Sequence, residues 1–391
     1  MTVERDVHEA ELDVADAVSF GLEEVNELLG ELIEELGVRR KRDAEIVGSR
    51  LGVSGERPQT PARIGARFDL ARDRVRQLHT RAVGQILRDA AVGGHKAGKV
   101  FARRYPLDAR DSESVRALLV ETYATDTDLA ANEWAYLKLR IAGHAPEDAK
   151  RVAGYVMQRI MAWQKKTRHR LAKLHQVSTP GAAIPLFEQV EWPSAGAAAA
   201  LPGKSARVVD GDDESRARFY LDKVGREVAF DSALEASLLH ALTASELVDT
   251  FQETPCAVEY LVDGERRIAH PSAVARLTDG RAVLIDVQPL GHLGFHLRRR
   301  AALAGREFAH ANGWGWMVWT GSRTGVDDLV RRAVDPEFES RLVDLLASGP
   351  VFWSSVRTLA DEVDATLLDL IALTLRHDWR WDRAPFTLRR R

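Results

Sequence analysis

The sequence predicts a multidomain protein: an all-α N-terminal half, an α/β domain after it, and a C-terminus of helices closed by a hairpin. Three observations carry this. Up to about residue 176 the apolar positions recur at helical spacing with no strand-like alternation. Beyond about residue 214, helical stretches are interleaved with short runs rich in β-branched and aromatic residues. Between them, residues 177–213 are rich in Ala, Pro, Gly and Ser and read as a linker.

Composition bounds the function classes. With 391 residues, 45% of them hydrophobic, the chain has material for about two to four cores. The lone Cys256 excludes an internal disulfide framework and any CxxC zinc site. No apolar run reaches the roughly 18 residues of a spanning helix, and the first residues, MTVERDVHEAELDV, are acidic, unlike a signal peptide. The expectation is a cytoplasmic, nucleoid-associated protein with no membrane partner. Charge is unevenly spread: residues 1–38 hold 12 acidic residues and one Arg, whereas residues 39–104 hold 17 Lys/Arg and 6 Asp/Glu, a net +11 in a chain of net −3. So basic a segment in an otherwise acidic chain marks a phosphate-facing surface.

The first helix should run from about Phe20 to Leu36, where Leu22, Val25, Leu28, Leu29, Leu32, Ile33 and Leu36 share one face. Its acidic outer face reads as solvated, or as a surface that screens the basic segment or docks a partner. Thr60 and Pro61 then mark a helix start, since a hydroxyl caps free N–H groups and proline suits the first helical position. Ile64 and Phe68 lie a turn apart, with Gly65 beside them small enough for close approach of another helix. Asp69-Leu70-Ala71 breaks the pattern, and from Arg72 the positions Val75, Leu78, Ala82 and Ile86 resume it. This is a helix-turn-helix, and such a second helix offers its N-terminal Arg and Gln side chains to base edges in the major groove.

The wording of this stretch, RDAEIVGSRLG, PQTPARIGARF and ARDRVRQLHTRAVGQIL, resembles sigma-70 region 4, the domain of bacterial sigma factors that reads the promoter −35 element. By that resemblance Arg72, Asp73, Arg76 and Gln77 occupy base-reading positions and Arg74 a neighbouring one. Asp73 stands where the family usually has Glu, and Ala71 where it has Ser or Thr, so the site read need not be a −35 element. Arg63, Arg67 and Arg81 complete the expected DNA-binding set in residues 1–104.

Residues 105–176 read as a further helical domain. The stretch EWAYLKLRIAGHAPEDAKRVAGYVMQRIMAWQKKTRHRLAKLH loosely repeats an apolar helix, a Gly-containing break, a short helix and a basic helix. Residues 150–173 carry eight Lys/Arg and no acid. A second, diverged helix-turn-helix would place Gln158, Arg159, Gln164, Lys165 and Arg168 against DNA; a basic helix on a bundle is the equal alternative. Met157, Met161 and Trp163 read as core.

In residues 214–334, ALEASLLHAL reads as a helix and CAVEYLV as a strand; AVARL and RAVLIDVQP flank a Thr278-Asp279-Gly280 turn as a hairpin. FHLRRRAALAGREFAHANG follows as a helix and WGWMVWT as a buried strand, making an α/β sandwich. This order resembles the PD-(D/E)xK nuclease core, and DSALEASLLHAL, VDTFQETPCAVEY and RRIAHPSAVARLTDGRAVLIDVQP resemble the TnsA-type transposon end-cleaving endonucleases over roughly residues 215–322. By that resemblance Glu235 matches the helix Glu, Ser272 falls at the PD aspartate, Asp286 at the Glu/Gln of the ExK strand, and Gln288 at the lysine. Such chemistry needs carboxylates around Mg²⁺ and a cation at the attacked phosphate. A serine hydroxyl and a neutral glutamine supply neither, so a nuclease fold without nuclease activity, and with no cofactor, is expected. Asp263, Asp279 and Arg281 are the substitutes that would argue otherwise, with Asp279 simpler as a turn residue; His270, His292 and His296 lack ligand spacing. Arg298, Arg299 and Arg300 are candidates for gripping a DNA backbone.

Residues 335–391 show three amphipathic helices and a Trp379–Thr387 hairpin, which resembles a winged helix, with an Arg389-Arg390-Arg391 tail suited to phosphate contact. The reading is a sequence-specific binder of double-stranded DNA, a transcriptional regulator with a degenerate nuclease-fold domain. Two alternatives stand: a Mg²⁺-dependent endonuclease of a transposon or defence system, and an RNA polymerase-binding accessory factor. The resemblances also allow a transposase-like protein as partner and a homodimer as assembly.

Overall fold

In the computed structural model, residues 18–92, 95–173, 187–194, 196–206, 217–322 and 324–391 are described; the side chains of residues 92, 164–173 and 217 lie outside that description, as does most of the acidic segment before Phe20. The chain divides into two compact units: Met1–Ile160 with Gly294–His296 and Leu329–Arg391, and Met161–Leu293 with Leu297–Asp328. Among the described residues no helix is long and apolar enough to cross a membrane.

The first unit begins with helices α1 (Phe20–Arg39), α2 (Lys41–Leu51), α3 (Pro61–Phe68), α4 (Arg72–Val92), α5 (Lys96–Arg104), α6 (Asp111–Thr125), α7 (Ala131–Ala142) and α8 (Pro146–Lys173). Ser19 starts α1 by accepting the Leu22 N–H at 3.3 Å, and the apolar face foreseen from Leu22 to Leu36 is buried throughout. One apolar cluster runs from Val25 on α1 to Ile160 on α8, taking in Phe101, Tyr105, Trp134, Leu139 and Val156. The expected boundary at residue 104 is therefore no boundary in the core. Within this core the Glu121 carboxylate accepts from Lys138 Nζ at 2.7 Å, Tyr105 Oη at 2.6 Å and Arg104 Nε at 2.9 Å. Burial pushes Glu121 up, but Lys138 and Arg104 outweigh it and hold the carboxyl below its usual range.

The expected repeat in α7–α8 takes another form. The apolar helix is α7 and the break is at Gly143, in the left-handed conformation at φ 103°. Beyond it, however, the short helix and the basic helix are one uninterrupted helix, with Gly154 inside it. A glycine in a helix interior costs only about 1 kcal/mol, which the buried row Val152, Val156 and Ile160 easily offsets.

The C-terminal part of this unit comprises α12 (Pro336–Ala347), β9 (Val351–Phe352), α13 (Trp353–Glu362), α14 (Leu367–Arg376), β10 (Arg380–Asp382) and β11 (Thr387–Arg389), the strands forming an antiparallel sheet ordered β10-β11-β9. Asp335 and Thr366 cap α12 and α14, the latter through a capping box with Asp369. The turn joining β10 to β11 lies on α1: Arg383 donates to both oxygens of Glu23 at 2.6 and 3.1 Å, and the Phe386 N–H donates to Glu27 at 2.5 Å. Ala384 sits so close to Gly30 that any side chain there would collide with it. Glu23, Glu27 and Gly30 thus form one stripe of α1 that receives this turn. Both glutamates are buried, not solvated as their charge suggested, because the stripe is covered from residues more than 350 positions away.

In the second unit, β1 (Ala217–Leu221) and β2 (Arg226–Phe230) form a hairpin, followed by α9 (Ala233–Ala244), β3 (Val248–Glu253), the hairpin β4 (Val258–Val262) and β5 (Glu265–Ala269), β6 (Ala273–Leu277), β7 (Ala282–Val287), α10 (His296–Ala311) and β8 (Gly315–Trp319). A short α11 (Val326–Val330) follows β8. The central sheet has the order β3-β6-β7-β8, antiparallel except for β7 beside β8. Alternation covers both faces: Ala273, Ala275, Val283 and Ile285 pack with Leu238, Leu239 and Leu242 of α9, while Val274, Ala282 and Leu284 pack with Ala302 and Ala309 of α10. The α/β sandwich follows the sequence reading, with the hairpin β1–β2 and strands β3 and β5 added to it.

The expected linker is part of this unit where it is described. Glu191 and Trp316 exchange both backbone hydrogen bonds at 2.9 Å, and the Ala199 carbonyl accepts from Arg276 at 2.9 Å and Trp314 Nε1 at 3.0 Å. Any side chain on Gly315 would run into Val190 and Trp192, so the strand has a groove cut for this segment. Side chains hold the segment as well: Val190 and Trp192 pack on one face of the sheet core, Ala198, Ala199 and Leu201 on the other. Residues 177–186 and 207–213 lie outside the described residues.

Candidate functional site

The first candidate site is the start of α4. Thr60 Oγ1 accepts the Arg63 N–H at 3.2 Å and Pro61 takes the first helical position, as the sequence foresaw. Asp69 ends α3 in the left-handed conformation at φ 52°, and the Leu70 N–H bonds the Gly65 carbonyl at 2.9 Å. Gly65 is required, but by a different neighbour than expected: a side chain there would collide with the Leu70 carbonyl of the turn, with Val75 packed alongside. Ile46, Ile64, Val75 and Leu78, backed by Phe68 and Leu70, lock α2, α3 and α4 together. Arg50 steadies the approach to α3, donating to Glu133 at 2.6 Å, the Leu129 carbonyl at 2.9 Å and the Gln59 carbonyl at 3.1 Å.

With Val75 and Leu78 turned inward, helical geometry leaves Asp73, Arg74, Arg76 and Gln77 exposed and Arg72 half-buried. The Asp73 side chain is 77% exposed and lies 3.7 Å from both Arg72 and Arg76; Arg74 donates to Gln77 at 3.2 Å. These weak, solvent-screened contacts are readily exchanged for others. Arg63 is exposed. Arg67 lies 3.8 Å from Glu45 and over the Phe68 ring. Arg81 pairs at 2.8 Å with the buried Asp43 and so braces α4 against α2. Gln158 and Arg159 are exposed on α8; Gln164, Lys165 and Arg168 belong to α8 by backbone, their side chains lying outside the described residues. Met157 packs on the core and Trp163 on that of the second unit, but Met161 is 58% exposed, contrary to its reading as core.

The second candidate site is on the α/β unit. Ser272 adjoins β7, its N–H donating to the Ile285 carbonyl at 3.0 Å and its Oγ accepting the Val287 N–H at 3.2 Å. Asp286 accepts from Gln288 Nε2 at 2.7 Å, and Gln288 is buried. The three strand positions therefore meet at neighbouring ends of β6 and β7. Glu235 stands in the first turn of α9, which packs on the other face of the sheet; its Oε2 accepts the Asp231 N–H at 2.8 Å. The nearby Glu253 is held by Arg226 in a two-pronged pair at 2.9 and 2.5 Å.

The suggested substitutes have other work. Asp279 accepts from the Arg281 backbone at 3.0 Å and its Nε at 2.8 Å, and Arg281 stacks 4.1 Å over Trp192. The Arg281 guanidinium beside Asp279 holds its carboxyl below the usual range. Asp263 has φ 52° ahead of Gly264 in the β4–β5 turn. Arg298 is buried, so it is no backbone clamp; Arg299 and Arg300 are half-buried. In the C-terminal tail Arg389 pairs with Asp382, Arg391 with Asp378, and Arg390 donates to the Val343 carbonyl, so the tail is engaged within its own module. His292 and His296 are buried, and among the described residues no group of His, Cys, Asp and Glu is arranged to hold a metal.

The Glu23–Glu27–Gly30 stripe and the Arg383 turn were not singled out in the sequence. Their signal was there, two glutamates and a glycine at helical spacing, yet nothing local named the distant partner. A scan against protein-family models gives no match for this chain, and no curated protein matches it.

Proposed function

We propose that this chain binds double-stranded DNA through the helix-turn-helix α3-turn-α4 and reads base edges with Arg72, Asp73, Arg76 and Gln77, acting as a transcriptional regulator. The observation that carries this is the exposed row at the start of α4, fixed on its inner side by Val75 and Leu78, in a segment of net +11. Arginine at that place presents paired donors to guanine, glutamine a donor and an acceptor to adenine, and Asp73 accepts from a cytosine amine.

The α/β unit, with its helix, antiparallel strands, crossover helix and parallel strand, is read as a nuclease-type scaffold without the chemistry. A divalent cation at the strand ends would need anionic oxygens. Ser272 offers a hydroxyl already engaged by the Val287 amide, and Gln288 offers a neutral amide spent on Asp286. This donor set does not fit Mg²⁺.

Selection of duplexes from a randomised library by the full chain tests the reading. A single enriched motif, absent after selection with Arg76→Ala, is the expected result; recovery of unselected sequence by both proteins overturns it. Incubation of supercoiled DNA with Mn²⁺ or Mg²⁺ should leave it intact, and cleavage lost in Glu235→Ala would establish the endonuclease alternative.

A further inference from the structure

We propose that the elbow between α1 and α2 is a phosphate clamp, in which Lys41 and Arg42 grip the duplex backbone beside the groove that the start of α4 reads; this rests on the DNA-binding reading above. A single residue makes the elbow. The Arg40 N–H bonds the Leu36 carbonyl at 2.8 Å and ends α1, while the Arg40 carbonyl accepts the Ala44 N–H at 3.1 Å and begins α2. Four cations in a row, Arg39-Arg40-Lys41-Arg42, occupy this corner. The corner is rigidly seated: Ala44 and Val47 are buried in the cluster that holds α1 and α4, and Ile46 in the one that locks α2, α3 and α4 together.

The acids beside the elbow are engaged by other cations. The buried Asp43 carboxylate is shared by Arg81 of α4 at 2.8 Å and Arg40 at 3.8 Å, and Asp89 of α4 is held by Arg39 at 2.5 Å. Lys41 and Arg42 are exposed and make no ion pair among the described residues. They stand in the first turn of α2, where the helix dipole disfavours cations, so the stability of α2 does not account for them. Asp43 also fixes where the elbow stands. Its partner Arg81 lies nine positions after Arg72, about 14 Å along the axis of α4. With the first turn of α4 at base edges, a major groove about 8.5 Å deep brings the phosphate walls alongside this part of the helix. Arg42 shares a face of α2 with Glu45 and Ser49, and Arg67 of α3 lies on that face, 3.8 Å from Glu45 and donating to Ser49 Oγ at 3.4 Å. Long side chains carrying charge but no fixed donor pattern for bases add affinity without adding sequence preference.

The experiment uses the full chain, a duplex of the selected sequence and a random duplex of equal length, with binding followed by fluorescence anisotropy across a salt series. Lys41→Gln/Arg42→Gln should weaken both duplexes by the same factor, about tenfold, and lower the slope of log affinity against log salt by about 2. Each single variant should lower the slope by about half as much. The charge-conserving Lys41→Arg/Arg42→Lys should keep both affinity and slope. Arg76→Ala should instead weaken the selected duplex alone. Unchanged affinity and slope in the double Gln variant, or an equal loss in the charge-conserving one, overturns the clamp and, with the Arg76 effect intact, leaves the α4 reading standing. A loss confined to the selected duplex in the double Gln variant overturns the clamp as well, since it would make the elbow a reader of bases. Failure of the unsubstituted chain to bind either duplex overturns both proposals.

Discussion

Glu27 shows how one side chain can tie the two ends of a chain together and make that tie depend on acidity. Burial pushes its carboxyl up to about 7, against the lowering effect of the Phe386 N–H and Arg383, with Glu23 and Glu31 adding to the rise. Because the folded-state value lies above the ordinary 4.5 of a glutamate, the neutral form is the one the fold favours. Its contribution is complete below pH 4.5 and is lost as pH rises through about 7. Urea midpoints should therefore fall between pH 5 and 8, by up to roughly 3 kcal/mol in stability, and Glu27→Gln should flatten that fall. An unchanged slope in the variant would place the titration elsewhere. At Glu121 the expectation is one of magnitude: Glu121→Ala leaves the buried Lys138 without its carboxylate and should cost about 3–5 kcal/mol, measured by the same melts.

At the scale of elements, the turn between α3 and α4 and the β10–β11 turn obey the same close-packing logic. Gly65→Ala forces the Leu70 carbonyl aside and should loosen the start of α4; hydrogen exchange at the Val75 amide should rise, while exchange in α14 stays the same. Gly30→Ala should likewise unseat Ala384 from α1 and expose Trp353, which lies 5.3 Å from Phe386, to fluorescence quenchers. These two glycines differ in how legible they were. Gly65, with Thr60, Pro61 and the apolar repeat from Val75, belongs to a local pattern in which every signal is within a few residues, so the sequence discloses the helix starts and the turn. Gly30 depends on a segment over 350 positions away, and no periodicity reports that. The same reasoning explains residues 187–206, whose backbone hydrogen bonds to β8 leave no mark in composition, and α8, where burial of Val152, Val156 and Ile160 overrides the breaking tendency of Gly154.

For the whole molecule, function is divided between charge and shape. Residues 39–104 concentrate a net +11 in a chain of net −3, while the α/β unit keeps a sheet with both faces covered and strand ends whose side chains satisfy one another. If polymerase rather than DNA were the main partner of the N-terminal helices, the full chain would be expected to retain it in a pull-down without DNA present. The central claim is that the start of α4 reads bases. It is tested most directly by the ratio of affinities for selected and random duplexes at one salt concentration, measured for the unsubstituted chain and for Arg76→Ala. The account predicts that the ratio falls by about 1–3 kcal/mol in the variant with binding to random duplex preserved. An equal loss on both duplexes, or no loss on either, would contradict it.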